Sequence, residues 1–378
     1  MKKKLLIIHP ALAPYRIDQF NAISRLFDLE IVFIFGNVWN HKFDQSKLLS
    51  QLMFKVSFLM KGPRYKGRVF RFGMYRTIRK MNPDVVLGYE FSFSTQYLIL
   101  LKRLGLLHQK IGTTIDDSID ICNHVQSKAR YFVRKQTVKH LDFLVVLSKE
   151  VSEFYQKEFH LSESQIIVSP ILQNVERLRA NAEKLEEIAN QYVQKYNLKG
   201  KKVLLFVGRF IAVKALPNFI DGIHSLLAER DDLVLVLVGD GAEKQKLQEL
   251  ITEKRLSQKV FLPGRFESEE LYAWYLCGSG FVLPSTYEPF GAVVNEALIF
   301  GLPVFCSKYA GASFLVNSGK GLLFDPLDKQ NTMNGLSDFL SMIHPLKDID
   351  LKSKPALMTN NQDAFVDEWN KIAGNSMN

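Results

Sequence analysis

Two glutamates eight residues apart, Glu288 and Glu296, are candidates to accept hydrogen bonds from a ligand that carries hydroxyl groups. A carboxylate can accept two hydrogen bonds from neighbouring hydroxyl groups. Glu288 precedes a predicted helix and would meet a sugar, whereas Glu296 lies inside the helix and would meet a ribose. The alternatives are that Glu288 only stabilises the helix dipole and that Glu296 is a solvated helix residue.

The helix that carries these glutamates is predicted to offer an anion site at its start. An apolar run ends at Leu283, and the pattern indicates a helix from about Phe290 to Gly301. Backbone N–H groups at Phe290, Gly291 and Ala292 would lack partners, and a glycine lets a phosphate oxygen approach closely. We therefore expect a diphosphate to bind there.

A second group of candidates follows a buried run upstream. Gly208 and Arg209 come directly after it, and Lys214 lies five residues beyond Arg209. Arg209 and Lys214 can converge on a charged leaving group, the first as a bidentate donor and the second as a point charge. The alternative is a pair of cations on the surface.

Two further strand ends carry glycine next to a polar residue, Gly239-Asp240 and Gly264-Arg265. Glycine allows the backbone to run close to a ligand. By itself a turn of this kind is weak evidence, because most such turns only reverse the chain.

The elements that must position these residues read as two α/β domains. Short Val/Ile/Leu runs alternate with longer helical patterns, first between residues 5 and 169 and again between 203 and 324. This alternation predicts βαβ units with buried parallel sheets. Ligands of such sheets bind at the carboxyl ends of the strands, so we expect the two domains to face each other across a cleft.

The predicted domain boundaries place residues 1–174 in the first domain and 201–359 in the second. Residues 175–200 are polar and strongly helix-forming, which is typical of a connector. The final segment, about 360–378, is amphipathic and is expected to pack back on the first domain.

The order of these motifs resembles that of family 4 of the retaining GT-B glycosyltransferases. The order is G-R-x4-K, V-G-D-G, F-x-x-G and then P-S-x-x-E-P-F-G-x4-E, which belongs to the E-x7-E type, and the match covers about residues 202–326. The resemblance implies a GT-B fold and transfer of a sugar from a nucleotide-diphosphate sugar, UDP- or GDP-linked, to a hydroxyl acceptor.

The resemblance also implies a role for each motif residue. Arg209 and Lys214 would contact the diphosphate, Glu296 the ribose, and Gly264-Arg265 the base. The remaining donor-side residues would line the sugar and phosphates: Gly208, Gly239, Asp240, Glu288, Phe290 and Gly291. Catalysis would rest on Glu288, Arg209 and Lys214.

On the first domain the resemblance is weaker, and it points to the acceptor. Pro14-Tyr15-Arg16 looks like the first loop of family members that carry P-Y-R there. Where many members place a histidine, this sequence has Asp116-Asp117. These two aspartates are candidates to hydrogen-bond an acceptor hydroxyl, or else form a solvating acidic loop. Arg16 could contact phosphate or be an ordinary surface arginine.

Departure of a diphosphate develops negative charge, which cations and backbone amides stabilise. Because the predicted site supplies both, we expect no metal and no other cofactor. The resemblance implies retention of anomeric configuration, with the leaving phosphate helping to deprotonate the acceptor.

Positive charge is concentrated in the first half. The chain has a net charge of +10; residues 1–180 hold 28 Lys+Arg against 15 Asp+Glu, whereas residues 181–378 hold 21 against 24. The segment Lys55–Lys80 contains nine cations, no acid and many apolar residues. It could contact an anionic membrane surface or form a solvated helix face. Since no nucleic-acid recognition motif is present, we expect no nucleic-acid partner.

Cysteine content and hydropathy favour a cytoplasmic protein, and the basic segment Lys55–Lys80 favours one that is peripheral on the inner face of a membrane. The three cysteines are widely spaced, and no apolar run is long enough to span a bilayer. The first apolar run is too short for a signal peptide and is predicted to be a strand. Together with the resemblance, the basic segment Lys55–Lys80 leads us to expect a glycan or lipid-linked acceptor of cell-envelope polysaccharide synthesis, met at the membrane surface.

Two other functions compete with this interpretation. A GT-B fold also serves sugar-nucleotide epimerases and phosphorylases, and fold alone does not choose between them. A non-enzymatic protein that binds nucleic acid or a membrane surface through the basic half is the alternative from another class.

Overall fold

The computed structural model of the chain describes residues 2–38, 42–65, 68–124, 127–317, 319–358 and 362–374. The chain divides into two compact units. Unit 1 comprises Met1–Gln173 and Asn361–Asn378, and unit 2 comprises Asn174–Asn360.

Unit 1 is built on a parallel sheet of seven strands in the order β3-β2-β1-β6-β7-β8-β9, beside a two-stranded antiparallel hairpin formed by β4 and β5. The strands are β1 Lys4–His9, β2 Asp28–Phe33, β3 Lys55–Phe58, β4 Arg64–Tyr65, β5 Arg68–Val69, β6 Val85–Tyr89, β7 Lys110–Ile115, β8 Phe143–Val146 and β9 Ile166–Val168.

Helices cover both faces of this sheet. They are α1 Ile17–Leu26, α2 Gln45–Leu49, α3 Met74–Met81, α4 Phe93–Arg103, α5 Ile119–Asn123, α6 Lys128–Lys139 and α7 Lys149–Phe159. Because alternate residues of a strand face opposite sides, Leu5 and Ile7 of β1 enter one core, while Leu6 and Ile8 enter the other.

Unit 2 is built on a second parallel sheet, in the order β12-β11-β10-β13-β14-β15. The strands are β10 Lys202–Val207, β11 Leu233–Val238, β12 Val260–Gly264, β13 Gly280–Leu283, β14 Val304–Ser307 and β15 Gly321–Phe324. The order reverses between β10 and β13, which is the place where doubly wound sheets bind ligands.

The helices of unit 2 are α8 Val175–Leu178, α9 Ala182–Lys195, α10 Leu216–Glu229, α11 Lys244–Glu253, α12 Ser268–Cys277, α13 Ala292–Ile299 and α14 Lys329–Met342. The predicted connector forms α8 and α9 and belongs to unit 2. There, the Tyr192 ring of α9 stacks on Trp274 of α12, with ring centroids 4.3 Å apart.

The last helix, α15 Gln362–Ala373, belongs to unit 1. Its Trp369 is buried against Phe27, and the indole N–H donates to the Ser169 hydroxyl at 3.0 Å. Residues 359–361 and 375–378 of the predicted terminal segment lie outside the described residues.

The predicted fold class is confirmed, because both units are parallel, doubly wound α/β sheets. The second series of apolar runs, predicted between residues 203 and 324, forms the six strands β10 to β15. The basic segment Lys55–Lys80 is only partly the helix face that the sequence allowed. It begins with strand β3, and its residues are helical only from Met74 onward. Lys66 lies outside the described residues.

Among the described helices, none has the length and apolar character of a membrane span.

Candidate functional site

The carboxyl ends of the first three strands of unit 2 are joined by backbone hydrogen bonds. Gly208 N–H donates to the Val238 carbonyl at 3.0 Å, and Gly239 N–H donates to the Gly264 carbonyl at 2.9 Å. The Phe210 N–H donates to the Asp240 carbonyl at 2.9 Å. Three of the predicted motifs, after β10, β11 and β12, therefore lie beside one another.

Gly239 is the position where this packing tolerates no side chain. Its φ is +153°, and a Cβ built on it would lie 1.8 Å from the Gly208 carbonyl oxygen. Only glycine allows the two loops to approach this closely. Next to it, the Asp240 carboxylate accepts from the Gly241 N–H at 2.9 Å and lies 3.5 Å from the Lys244 ammonium.

Lys214 and Glu288 form a salt bridge in which both side chains are largely shielded from water. The side chains are 12% and 14% exposed. Lys214 ends a three-residue 3₁₀ turn after β10, and Glu288 lies in the loop between β13 and α13. Two of the three predicted catalytic residues are thus together, and Lys214 is paired with a carboxylate of the same unit.

The loop that carries Glu288 is fixed on both sides. The Thr286 N–H donates to the Val213 carbonyl at 2.9 Å, next to Lys214. On the other side, the N–H groups of Gly311 and Ala312 donate to the carbonyls of Glu288 and Phe290, at 3.0 and 2.7 Å. The salt bridge therefore joins two segments that backbone bonds already hold together.

Helix α13 starts two residues later than predicted. Gly291 is its N-cap with φ +96° and ψ +59°, and the helix begins at Ala292. The left-handed conformation at Gly291 ends the loop and turns the chain into the helix. The Phe290 side chain is buried, so it is the backbone around Gly291 that can meet a ligand.

Glu296 is buried inside α13 rather than solvated. Its carboxylate accepts a hydrogen bond of 2.6 Å from the Tyr275 hydroxyl on α12. Burial and the negative charge of Glu296 raise the pKa of Tyr275 well above its usual value, so the tyrosine keeps its proton and donates it. Tyr275 was missed from the sequence, because nothing local marks a tyrosine 21 residues upstream as the partner of Glu296.

The other predicted cations of unit 2 differ in their surroundings. Arg209 is exposed, and among the described residues no hydrogen bond or ion pair engages its guanidinium. Arg265 forms a half-exposed ion pair with Glu267, two residues away. Arg209 is therefore the cation at this sheet edge that is available to an anionic ligand.

A buried cysteine lies near the salt bridge. Burial and the nearby Glu288 carboxylate raise the pKa of the Cys306 thiol, while Lys214 acts in the opposite direction. The thiol is therefore protonated at neutral pH and packs as a small apolar group.

In unit 1 the predicted acceptor residues belong to a buried ion-pair cluster. Arg16 is 3% exposed and contacts Asp116, and its other terminal nitrogen donates to the Gln19 side chain at 2.6 Å. Burial opposes ionisation of Asp116, but Arg16 outweighs it and holds the carboxyl pKa below its usual value. Arg16 is therefore not a surface arginine.

Asp117 forms the second pair of this cluster. Its carboxylate accepts from Arg134 at 2.6 Å, and both side chains are largely buried. The interpretation of Asp116-Asp117 as a solvating acidic loop is therefore wrong. The Tyr15 ring is half-buried beside Arg16, whose guanidinium carbon lies 5.9 Å from the ring centroid.

The sequence analysis did not identify three other residues at this edge of the first sheet: His9, Tyr89 and Glu90. Tyr89 donates to Asp116 at 3.0 Å, and its ring lies 4.8 Å from that of His9. A signal was available, because His9 and Tyr89-Glu90 each directly follow an apolar run of the sequence, Leu5–Ile8 and Asp84–Gly88. Within the described part of the chain, no group of three or more His, Cys, Asp or Glu residues could hold a metal ion.

Comparison with known proteins agrees with this architecture. Residues 189–349 match the family described as Glycosyl transferases group 1. Among solved structures, the Anabaena protein HepE in complex with UDP superposes with a TM-score of 0.68 at 16% identity, over 97% of this chain and 95% of that one. The chain has the GT-B fold. The matched residues all lie within unit 2.

Curated relatives match over part of their length. A 2-deoxystreptamine N-acetyl-D-glucosaminyltransferase of Niallia circulans is 28% identical over 44% of this chain and 43% of its own length. A GDP-mannose-dependent alpha-mannosyltransferase of Corynebacterium glutamicum is 32% identical over 37% of this chain and 32% of its own length. The chain spans less than half the length of these relatives.

The close approach at Gly239 predicts a large loss of stability in Gly239→Ala. The new methyl group would displace the Gly208 loop, and we expect the free energy of unfolding to fall by at least about 3 kcal/mol. Gly200→Ala is the matched control: Gly200 also has positive φ, +76°, but its Cβ would meet nothing within 4 Å. Its cost should be about 1 kcal/mol, from backbone strain alone. Urea unfolding measures both, and equal losses would contradict the packing argument.

Proposed function

We propose that the chain is a family 4 glycosyltransferase that transfers a sugar from a nucleotide-diphosphate sugar to a hydroxyl group, with retention of configuration. The observation that carries the proposal is the Lys214–Glu288 salt bridge beside the start of α13, within the region that matches the group 1 family. A cation, a carboxylate and free helix amides together suit a glycosyl diphosphate.

The proposed chemistry follows from the charges that develop when the sugar leaves its phosphate. Negative charge grows on the diphosphate, and groups that are already oriented toward it lower the barrier. Arg209, Lys214 and the N–H groups at the start of α13 would supply this stabilisation. Glu288 orients the Lys214 ammonium and would accept a hydrogen bond from a sugar hydroxyl.

Retention rests on the family 4 resemblance. In this proposal the bond between the anomeric carbon and the phosphate oxygen breaks as the acceptor oxygen bonds to the same face of the sugar. The acceptor proton passes to the leaving phosphate. The reaction then needs neither a dedicated base nor a metal ion.

The donor is proposed to be UDP- or GDP-linked. HepE was crystallised with UDP, and the Corynebacterium relative is named as GDP-mannose-dependent. In unit 2 the ribose would contact Glu296, which Tyr275 orients, and the base would lie beside Gly264 and Arg265. Gly208, Gly239 and Asp240 would line the donor pocket.

The acceptor is proposed to be a glycan or lipid-linked acceptor of cell-envelope polysaccharide synthesis, met on the cytoplasmic face of a membrane. The support is the surface of the Lys55–Lys80 segment. Arg76, Arg79 and Lys80 are exposed there, and Met60 and Phe72 are 51% and 61% exposed. Cations beside exposed apolar side chains favour anionic lipid. Arg71 is excluded, since it donates to the carbonyls of Ile34 and Met60.

Donor identity can be tested by thermal stabilisation with UDP-, GDP- and dTDP-sugars. A ligand at about a hundred times its Kd should stabilise the protein by about 2.7 kcal/mol. We expect a UDP- or GDP-sugar to raise Tm and Arg209→Ala to abolish most of the increase. If no sugar nucleotide raises Tm, the proposal fails. The products formed from the stabilising donor then distinguish transfer to an alcohol from phosphorolysis or epimerisation.

Arg209→Ala and Lys214→Ala should each lower kcat on the order of a hundredfold, because the charge they meet grows in the transition state.

The same two variants should differ in stability. Arg209 is exposed and unpaired among the described residues, so its loss should leave Tm unchanged. Loss of Lys214 leaves Glu288 without its partner and should cost about 1–3 kcal/mol. Lys347→Ala, an exposed lysine of unit 2, is the control. A wild-type rate for Lys214→Ala would contradict the mechanism.

Membrane contact is tested by sedimentation with liposomes that contain anionic lipid. Replacing Arg76, Arg79 and Lys80 by glutamate should reduce binding by tenfold or more, since each cation contributes about 1 kcal/mol. The control replaces Lys195, Lys347 and Lys352, three exposed lysines of unit 2, in the same way. The proposed membrane contact would be excluded if both variants lost liposome binding equally, or if binding did not depend on salt concentration and lipid charge.

A further inference from the structure

Carboxylates outnumber guanidiniums at the carboxyl edge of the unit 1 sheet. Glu90, Asp116 and Asp117 lie close enough to influence one another, and the neighbouring cations are Arg16 and Arg134. Each arginine is committed to one aspartate. Among the described residues no ion pair reaches Glu90, so this edge keeps one carboxyl group more than its cations neutralise.

The backbone at Glu90 adopts a conformation that few side chains adopt without cause. Its φ is +47°. The other described non-glycine residues with positive φ lie at helix ends: Asn82, His160, Asn197 and Arg255 just beyond the last turn, and Ala215 and Ser268 at the start. Glu90 instead follows strand β6 directly. Its N–H donates to the Thr114 carbonyl at 2.6 Å, and its carbonyl accepts from the Thr113 hydroxyl at 2.8 Å. Backbone strain of this kind gathers at ligand sites.

Two buried polar atoms beside Glu90 and Tyr89 have no hydrogen-bond partner among the residues that the structure describes, and both are acceptors. One is Asp116 Oδ1, and the other is Nε2 of His9, a residue that is 8% exposed. The Nδ1 atom of His9 lies 3.1 Å from the Ala11 carbonyl oxygen and therefore donates, which leaves Nε2 as an acceptor. Burial and the Arg16 charge lower the pKa of His9 to about 3, so the ring stays neutral.

A ligand that satisfies this edge must bring hydrogen-bond donors. Within the described part of the chain, His9 Nε2 and Asp116 Oδ1 are acceptors without a protein donor, and the Glu90 carboxylate has a hydrogen bond with Tyr89 but no paired cation. A phosphate group would add acceptors and negative charge where both are already in excess. Two donors of this cluster, Arg134 Nη1 and the Tyr155 hydroxyl, have no partner among the described residues. Arg134 Nη1, on the Asp117 side, can meet an oxygen of the same ligand. Adjacent hydroxyl groups of a sugar, each both donor and acceptor, match this set.

We propose that Glu90, with Asp116 Oδ1 and His9 Nε2, binds adjacent hydroxyl groups of the sugar acceptor. The assignment of the ligand as the acceptor rests on the proposed function. Glu90 is a positioning residue here: it accepts a hydrogen bond from a hydroxyl group and takes no proton in the transfer.

The protonation of Glu90 sets the expected pH dependence. Burial and the charges of Asp116 and Asp117 raise the pKa of Glu90 to about 7. The ionised carboxylate is the stronger acceptor, so sugar binding should strengthen as pH rises through 7.

Other groups that face Glu90 are Arg16, Tyr89 and Tyr155, and none of them titrates near pH 7. Arginine stays charged throughout. Burial raises the pKa values of Tyr89 and Tyr155 well above 10. Burial also raises the pKa of Asp117, which is paired with Arg134. The variant Asp117→Asn therefore checks that the titration observed at the Glu90 signal is not that of Asp117.

The test is carboxyl ¹³C NMR of the full chain labelled at glutamate, with Glu90→Gln to assign the signal and exposed Glu153→Gln as control. The added ligands are the methyl α-glycosides of glucose, mannose and galactose, and separately methylammonium chloride. We expect one resonance that titrates near pH 7, is absent only in Glu90→Gln, and moves to lower pH when a glycoside binds. Tenfold tighter binding to the ionised form lowers the pKa by about one unit.

The proposal is overturned if no glycoside moves the Glu90 titration, or if methylammonium moves it and the glycosides do not. Because this experiment contains no nucleotide, failure of donor binding in unit 2 leaves its result unchanged. In transfer assays Glu90→Gln should raise the acceptor KM about tenfold at pH 8, change the donor KM less than twofold and remove the pH dependence near 7. A fall in kcat with an unchanged acceptor KM would contradict the positioning role.

Discussion

The proposed chemistry of unit 2 depends on one partly buried salt bridge, between Lys214 and Glu288. Removing either partner would leave a charge in a poorly solvated place, which is costly. The pair also fixes where the lysine ammonium lies, because a flexible side chain is held between two loops that are joined by backbone hydrogen bonds. A cation held in this way is ready for a charge that develops nearby, with little reorganisation at the moment of reaction.

The two units solve the problem of buried charge differently. In unit 2 Lys214 is paired with Glu288. Arg209 has no ion-pair partner among the described residues, and this excess of positive charge favours an anionic ligand. In unit 1 the excess is of acceptors, with Glu90 left over after Asp116 and Asp117 have taken the arginines. An anionic donor and a hydroxyl-bearing acceptor are the ligands that these two opposite excesses favour.

Much of the fold could be predicted from the sequence because buried parallel strands appear as uninterrupted apolar runs. All six strands of unit 2 were found in this way. Strand β3 was missed, since its residues Lys55–Phe58 mix basic and apolar side chains in a segment rich in cations. Strand β7, Lys110–Ile115, was also missed, because Gly112 and two threonines interrupt its apolar residues. The start of α13 was placed two residues early, because a left-handed N-cap at Gly291 cannot be distinguished from a first helical residue by pattern alone.

The site residues could be predicted where a motif places them a few positions apart in the sequence. Contacts between residues that are far apart in the sequence could not. Arg209, Lys214, Glu288 and Glu296 could be chosen from spacing. The pairing of Lys214 with Glu288 joins residues 74 positions apart, and the bond from Tyr275 to Glu296 crosses between two helices. The burial of Arg16 was also beyond reach, because composition does not reveal which arginine a sheet edge encloses.

The most direct measurement is a crystal structure of the full chain with an intact nucleotide sugar. It should place the diphosphate within hydrogen-bond distance of the Lys214 ammonium, the Arg209 guanidinium and the N–H groups at Gly291 and Ala292, with the ribose at Glu296. A nucleotide sugar bound elsewhere, or a diphosphate that leaves Lys214 and the start of α13 without contact, would contradict the central claim.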